Sequence, residues 1–140
     1  MPAPFDWSGY LELASELMKN QHNEACQRSA ISRVYYAFYC KARNKLSDIG
    51  VETPRIDGHQ FVWETYSEAD DVSTKKIGTT GSRLRRRRVK ADYENVYPSK
   101  VERDAEIQLK EAEEILKSLD DVTKHKLGSS LGFHGSRTRY

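Results

Sequence analysis

Apolar residues recur along this chain at the three- and four-residue spacing typical of amphipathic helices. A first helix is predicted by the stripe Trp7, Tyr10, Leu11, Ala14, Leu17 and Met18. Asp6 or Ser8 is available to cap its start, and Asn20 to end it. The longest pattern follows a polar break at residues 20–23 and contains Ile31, Tyr35, Phe38, Ala42, Leu46 and Ile49, with Gly50 at its end. We expect this second helix to be the spine of the fold.

The rest of the pattern predicts three more helices. A short third helix is indicated by Phe61, Val62, Trp63 and Tyr66, after a loop at residues 51–58. A fourth helix, from about Thr74 to Tyr93, carries Ile77, Leu84 and Ala91 at every seventh position. Pro98 and a capping box of Ser99 and Glu102 introduce a last helix with the stripe Val101, Ala105, Leu109, Ala112, Leu116 and Leu119. Since no strand pattern occurs, the predicted fold is an all-α, up-and-down bundle of about five helices.

Gly78 and Gly81 lie inside the predicted fourth helix, where each glycine costs roughly 1 kcal/mol relative to alanine. One interpretation is that the helix begins only near Ser82. The other, which we favour, is that the missing side chains permit close packing against another helix. We also take this glycine face as support for dimerisation. A phosphate-binding loop of the Walker type is not expected, because no strand precedes the glycines.

The chain length fits one domain, which we place at residues 1–123. Residues 124–140 are rich in Gly and Ser and have no periodicity, so we expect a disordered C-terminal tail there. No apolar run reaches the roughly 18 residues of a membrane span, and the first residues do not resemble a signal peptide. A cytoplasmic protein without membrane contact is therefore expected. Cys26 and Cys40, roughly 21 Å apart on one helix, cannot bridge each other, and no metal site or cofactor is predicted.

Charge is distributed unevenly along the chain. Residues 75–90 contain eight basic and no acidic residues, whereas residues 101–121 contain eight acidic and three basic residues. A segregated basic segment indicates a partner of opposite charge, with RNA or another phosphate-rich ligand the commonest candidate. An acidic face of another protein is a further possibility.

The candidate ligand-binding side chains on the fourth helix are Arg83, Arg85, Arg86, Arg87, Arg88 and Lys90. A guanidinium group can make a bidentate contact with phosphate oxygens, and its charge attracts phosphate at long range. The alternative is that these arginines form a solvated face paired with the acidic last helix. Arg88 is the most informative, because it lies on the apolar stripe and has Asp92 four residues on as its nearest carboxylate.

Three segments, in this order, resemble a bacterial subfamily of the HEPN family. Residues 28–38, Arg-Ser-Ala-Ile-Ser-Arg-Val-Tyr-Tyr-Ala-Phe, are similar to its second helix, and residues 59–63, His-Gln-Phe-Val-Trp, to its third segment. Residues 76–93, with Lys-Ile-Gly-x-x-Gly-x-Arg-Leu followed by Arg-x-x-Ala-Asp-Tyr, are similar to its fourth. The resemblance extends over residues 6–122.

This resemblance implies a helical bundle that pairs as a homodimer, with the basic fourth helices of both chains meeting in a shared cleft. Many members are metal-independent ribonucleases of toxin–antitoxin and anti-phage systems. Their usual motif is an arginine followed four to six residues later by a histidine. The histidine acts on the ribose 2′-hydroxyl while the arginine steadies the phosphate, a division of labour that suits in-line attack by the 2′-oxygen.

In this sequence no histidine follows within six positions of the arginine run, and Asp92 and Tyr93 stand in its place. An aspartate is a weak base for a hydroxyl group. The catalytic candidates are therefore Arg88, Asp92, Tyr93 and, from the third segment, His59; the alternative for His59 is a capping or core role.

Three side chains of the second helix are further candidates. Arg28, Arg33 and Tyr36 are candidates to line the cleft and contact nucleic acid. Their alternative role is an internal salt bridge with Asp92 or with the last helix.

Three functions follow from these observations. The first is a dimeric, metal-independent endoribonuclease or toxin component in which Arg88 and its neighbours bind the scissile phosphate. The second is a non-catalytic RNA- or nucleotide-binding module that scaffolds or restrains a partner, such as an antitoxin or a nucleotidyltransferase. The third is a protein-interaction subunit whose basic helix meets an acidic protein surface.

Overall fold

The helices form where the apolar spacing predicts them. The computed structural model describes residues 2–128, and across this range it contains helices but no strand. The five main helices are α1 (Ser8–Met18), α2 (Glu24–Asp48), α3 (Gly58–Ser67), α4 (Val72–Tyr93) and α5 (Val101–Leu116). A 3₁₀ turn (Lys117–Asp121) and a single helical turn, α6 (Lys124–Leu127), follow. The predicted all-α bundle is thereby confirmed.

Helix α2 is the spine of the bundle, as the length of its apolar pattern predicts. It packs against α1, α4 and α5, while α3 packs chiefly against α4. Asn23 caps its start by accepting a hydrogen bond from the backbone N–H of Cys26 at 3.0 Å. Its end is set by Gly50, whose φ of 88° lies in the left-handed region. Helix α2 thus contacts all four of the other main helices, because Tyr35 and Tyr39 also reach α3.

The glycines of α4 permit a close approach of α3. A Cβ atom on Gly78 would lie 2.4 Å from the backbone nitrogen of Ser67, and one on Gly81 would lie 2.3 Å from the indole ring of Trp63. Helix α4 begins well before Ser82, so the packing interpretation is confirmed. The use of this face as support for dimerisation is wrong, because α3 of the same chain already covers it.

The start of α5 differs from the predicted capping box. Lys100 occupies the N-cap position and makes no side-chain capping bond. Ser99 Oγ instead donates to Asp104 Oδ2 at 2.6 Å, and Tyr97 Oη donates to the same oxygen at 2.7 Å. Asp104 thus holds the α4–α5 connection against the first turn of α5. The spacing of Ser99 and Glu102 did not predict this role of Asp104.

The folded part of the chain extends past the boundary expected at residue 123. Thr123 caps the helical turn α6, and Leu127 is fully buried in the core. The remainder of the expected tail, residues 129–140, lies outside the described residues. Within residues 2–128, no helix combines the length and apolar character that crossing a bilayer demands.

Candidate functional site

The candidate site is a cluster of side chains from α2, α3 and α4 around Arg88, which we call the Arg88 cluster. The side chain of Arg88 is only 13% exposed. Its guanidinium carbon lies 5.6 Å from the ring centre of Tyr35 and 5.4 Å from that of Tyr36, both on α2. Aromatic faces attract cations, so these two rings hold the guanidinium group in place. The inward direction of Arg88 follows from its place on the apolar stripe.

A small polar network joins Arg88 to α2. The Nη1 atom of Arg88 lies 3.3 Å from Asp92 Oδ2, and Ser32 Oγ donates to the same carboxylate oxygen at 3.4 Å. Asp92 is therefore the partner of Arg88 that its position four residues on predicts. The Nε atom of Arg88 is buried and has no hydrogen-bond partner among the described residues. A buried guanidinium with an unused donor is suited to receive a further anionic oxygen.

His59 is held within the Arg88 cluster by aromatic residues. Its ring stacks on that of Tyr39 with the centroids 3.8 Å apart, and its Nδ1 atom lies 2.5 Å from Tyr35 Oη. Because Trp63 Nε1 donates to the same Tyr35 oxygen at 3.1 Å, the Tyr35 hydroxyl hydrogen is free to point at Nδ1. Tyr35 can donate this hydrogen when Nδ1 of His59 is unprotonated and Nε2 carries the imidazole hydrogen, for which no hydrogen-bond acceptor is found among the described residues.

The electrostatic surroundings keep His59 neutral. Burial, followed by the positive charges of Arg85, Arg88 and Arg43, lowers the pKa of His59 from 6.5 to about 4. A neutral imidazole whose Nδ1 accepts from Tyr35 donates through Nε2 and cannot take a proton there. His59 is thus built as a hydrogen-bond donor rather than a general base, which favours its structural interpretation.

The arginines of α4 divide between two sides of the helix. Arg83 and Arg87 face α5, where Arg83 pairs with Glu111 and Arg87 Nη1 lies 3.6 Å from Asp104 Oδ2. The predicted alternative, pairing with the acidic last helix, therefore holds for these two residues. Their charge is partly neutralised within the chain.

The other basic residues of α4 are arranged differently. The positive charge of Arg85 is one of the causes, after burial, of the lowered pKa of His59. Arg86 is exposed, and Lys90 is half-buried in the last turn. Among the described residues, no carboxylate lies within ion-pair distance of Arg85, Arg86 or Lys90. These cations remain available to a ligand.

The three candidates on α2 have unequal roles. Arg28 donates to the backbone carbonyl oxygens of Ala91 at 3.2 Å and Glu94 at 2.6 Å, and to the side chain of Glu24. It therefore holds the C-terminal end of α4 and is not free to bind a ligand. Arg33 and Tyr36 lie near the Arg88 cluster and are partly exposed.

Tyr93 is separate from the cluster around Arg88. It lies at the end of α4 with 74% of its surface exposed. In the described part of the chain it makes no side-chain hydrogen bond or ring contact with Arg88 or His59. A direct role beside them is not supported by this geometry.

Sequence reasoning did not single out Arg43 and Tyr39. Arg43 lies with its guanidinium carbon 5.7 Å from the Tyr39 ring centre and donates to Asn44 Oδ1. With Arg33 and Tyr36, these residues follow one another on α2 at spacings of three and four, the signal that places them on one helix face.

The described residues contain no group of three metal-ligating side chains, and Cys26 and Cys40 are both free thiols.

The described residues thus form a small helical bundle that carries a half-buried arginine with its aspartate partner, beside further basic side chains of α2 and α4. The family model of the HEPN domain matches residues 8–122, most of the chain. The protein therefore belongs to the HEPN family. No curated protein and no solved structure was found to match the chain.

Proposed function

We propose that this HEPN protein binds RNA through the Arg88 cluster. The observation that carries the proposal is that the guanidinium group of Arg88 lies over the ring of Tyr35 and that of Arg43 lies over the ring of Tyr39, the two rings that hold His59. Together with burial, the positive charges of Arg85, Arg88 and Arg43 lower the pKa of His59. Only Arg88 among these three arginines has a carboxylate partner within the described residues. The cluster thus has a local excess of positive charge, whereas the α5 side of α4 is largely neutralised.

The chemistry of these groups suits a polyanion. Planar guanidinium groups match the oxygen pairs of phosphate, and a partly buried site strengthens their attraction. The Nε2 hydrogen of His59 and the unused Nε of Arg88 add donors without adding negative charge. RNA fits this set of donors better than an uncharged ligand does.

The proposal is tested by titrating a labelled single-stranded RNA with the purified protein and following fluorescence anisotropy. Arg85→Gln should weaken binding roughly 10- to 150-fold, since a charge-assisted hydrogen bond contributes about 1.5–3 kcal/mol. Arg83→Gln is the matched control, because it removes the same charge from the same helix on the α5 side. Equal losses in both variants, or no binding to RNA, would contradict the proposal.

A metal-independent endoribonuclease is the second candidate. The observation that favours it is the partly exposed Arg88–Asp92 pair, in which the carboxylate is 29% exposed and lies beside a cation suited to a developing negative charge. Incubation of RNA with the protein in EDTA tests this function. Cleavage that is lost in Arg88→Ala and Asp92→Asn but retained in His59→Gln would support it, and intact RNA with all proteins would refute it.

We further propose a homodimer in which the outward face of α4 contacts a second copy. Val89 is 41% exposed and Tyr93 is 74% exposed on this face, close to the exposed Arg86. Apolar side chains beside arginines are typical of protein interfaces. A monomeric mass by light scattering at micromolar concentration would contradict this assembly.

A toxin or defence role and a partner antitoxin or nucleotidyltransferase stay predictions from the family resemblance.

A further inference from the structure

A chain of hydrogen bonds leads from the core of the bundle to His59. The indole Nε1 atom of Trp63 donates to Tyr35 Oη at 3.1 Å, and Tyr35 Oη lies 2.5 Å from His59 Nδ1. Trp63 and Tyr35 are buried, whereas the ring of His59 is half-buried. The chain therefore begins at two side chains that are closed to a ligand and ends at one that is open to it.

Trp63 fixes the direction of the hydrogen bonds along this chain. An indole nitrogen only donates, so the Tyr35 oxygen accepts from Trp63 and its own hydrogen remains for His59. Burial raises the pKa of Tyr35, so its hydroxyl group keeps that hydrogen. Nδ1 of His59 then accepts, and the hydrogen of the neutral imidazole lies on Nε2. With the hydrogen on Nδ1 instead, the buried Tyr35 hydroxyl hydrogen would have no acceptor among the described residues.

The ring of His59 is also fixed in orientation. It stacks on the ring of Tyr39 with the centroids 3.8 Å apart and an interplanar angle of 7°. The two nitrogen atoms of an imidazole point in different directions, so turning Nδ1 to the buried Tyr35 turns Nε2 away from it. The Nε2 hydrogen is thus a directed donor, and its acceptor is left for a ligand to supply.

The charges that act on His59 make the position of this hydrogen decisive. Arg43 acts from α2, and Arg85 and Arg88 act from α4. After burial, these charges lower the pKa of His59 to about 4, so the ring is neutral above that pH and carries one hydrogen. A nitrogen without hydrogen presents a lone pair, which would repel the anionic oxygen that the arginines attract. His59 therefore assists binding of an anion only with its hydrogen on Nε2.

We propose that Tyr35 is a positioning residue, which keeps the hydrogen of His59 on Nε2 so that His59 donates it to a phosphate oxygen of bound RNA. This inference rests on the proposed RNA binding and adds to it one residue that contacts the ligand and one that acts through it. Because the ring of Tyr35 also packs against Arg88, the test changes the hydroxyl group alone.

The first measurement needs no RNA. Nuclear magnetic resonance of protein labelled at its histidine nitrogen atoms shows which nitrogen of each ring carries hydrogen, and the His59 signals are those missing from His59→Phe. The wild type should carry hydrogen on Nε2 alone, and Tyr35→Phe should show a mixture of the two neutral forms. Hydrogen on Nδ1 in the wild type, or the same spectrum in Tyr35→Phe, would overturn the inference whether or not the protein binds RNA.

The second measurement is RNA affinity by fluorescence anisotropy at one pH and one salt concentration. His59→Phe keeps a ring beside Tyr39 and removes both nitrogen atoms, so it should weaken binding roughly 10- to 150-fold, the range of a hydrogen bond to a charged group. Tyr35→Phe should weaken binding roughly tenfold, as the loss of the outer partner of a metal-bound histidine does. Added to His59→Phe, it should have no further effect, because Tyr35 acts through His59.

Tyr66→Phe is the matched control. It removes the hydroxyl group of another fully buried tyrosine, which donates to the carbonyl oxygen of Ala42 at 2.7 Å and not to His59. Thermal unfolding should show a similar loss of stability in Tyr35→Phe and Tyr66→Phe, while the His59 spectrum and the RNA affinity of Tyr66→Phe stay as in the wild type.

The binding outcomes that overturn the inference are distinct. Equal losses of affinity in Tyr35→Phe and Tyr66→Phe, or an undiminished effect of Tyr35→Phe in the absence of the His59 imidazole, would leave Tyr35 with a structural role only. Failure of the wild type to bind RNA would instead refute the proposed function and, with it, the role of His59 as a donor to phosphate.

Discussion

The contact between α3 and α4 makes a quantitative prediction for Gly78→Ala. A Cβ atom at this position would lie 2.3 Å from Ser67 Oγ, 2.4 Å from Ser67 N and 2.6 Å from the carbonyl oxygen of Trp63. Ordinary contact distances are about 3.5 Å, so the two helices must separate locally by about 1 Å. Two of the three atoms belong to the backbone and cannot rotate away. Strain is therefore unavoidable.

The expected change in the free energy of unfolding follows from two opposing effects. Overpacking of this kind costs typically 1–3 kcal/mol, and rigid backbone neighbours favour the upper end or beyond. Alanine gains about 1 kcal/mol over glycine in a helix interior. We therefore expect Gly78→Ala to lower the free energy of unfolding by about 2 kcal/mol, which for a domain of this size lowers the Tm by roughly 6–10 °C.

The assay is thermal and urea unfolding followed by far-ultraviolet circular dichroism. Gly9→Ala in α1 is the matched control, because its Cβ would meet no atom closer than 3.5 Å, at the Phe5 ring. That variant should be as stable as the wild type or more stable by up to about 1 kcal/mol. A Gly78→Ala protein as stable as Gly9→Ala would refute the close packing of α3 on α4.

Two further predictions concern Arg28 and His59. Arg28→Ala removes donors to the Ala91 and Glu94 carbonyl oxygens and should lower the free energy of unfolding by about 1–3 kcal/mol. Urea denaturation measures this loss, with Arg103→Ala as the control. An unchanged midpoint would contradict the role of Arg28 at the end of α4. Because the pKa of His59 is lowered from 6.5 to about 4 in the folded protein, the unfolded chain binds its proton first, and the free energy of unfolding should fall as the pH decreases from 6.5 to 4. His59→Gln should show a smaller fall over that window. A His59 imidazole signal, identified by its absence from the nuclear magnetic resonance spectrum of His59→Gln, that titrates near pH 6.5 in the folded protein would contradict the assignment.

Periodicity was sufficient to predict the five main helices because each one buries an apolar face against the others, whereas the single turn α6 is too short to show a period. The stripe through Ile77, Leu84 and Ala91 is buried along α4, and it also places Arg88 towards the core and beside Asp92. The inward aim of Arg88 could thus be predicted from the sequence. The contacts at the start of α5 could not be predicted from the sequence, because the side chains of Ser99 and Tyr97 both donate to Asp104.

Tertiary contacts decide which arginines of α4 face α5 and which do not. Four consecutive arginines must point in several directions around a helix, but spacing alone does not say which direction faces α5. The pairing of Arg83 with Glu111 is decided by the packing of α5 beside α4. Likewise, the neutral state of His59 arises from Tyr35, Tyr39 and three arginines that lie on two other helices.

The central claim is that guanidinium groups on the His59 side of α4, and not those facing α5, receive phosphate. The most direct measurement is the slope of the logarithm of RNA affinity against the logarithm of salt concentration. For single strands each phosphate contact contributes about 0.7 to that slope. The double variant Arg43→Gln/Arg85→Gln should reduce the slope by about 1.4, and Arg83→Gln/Arg87→Gln should leave it nearly unchanged. An equal or larger reduction in the second pair would contradict the account.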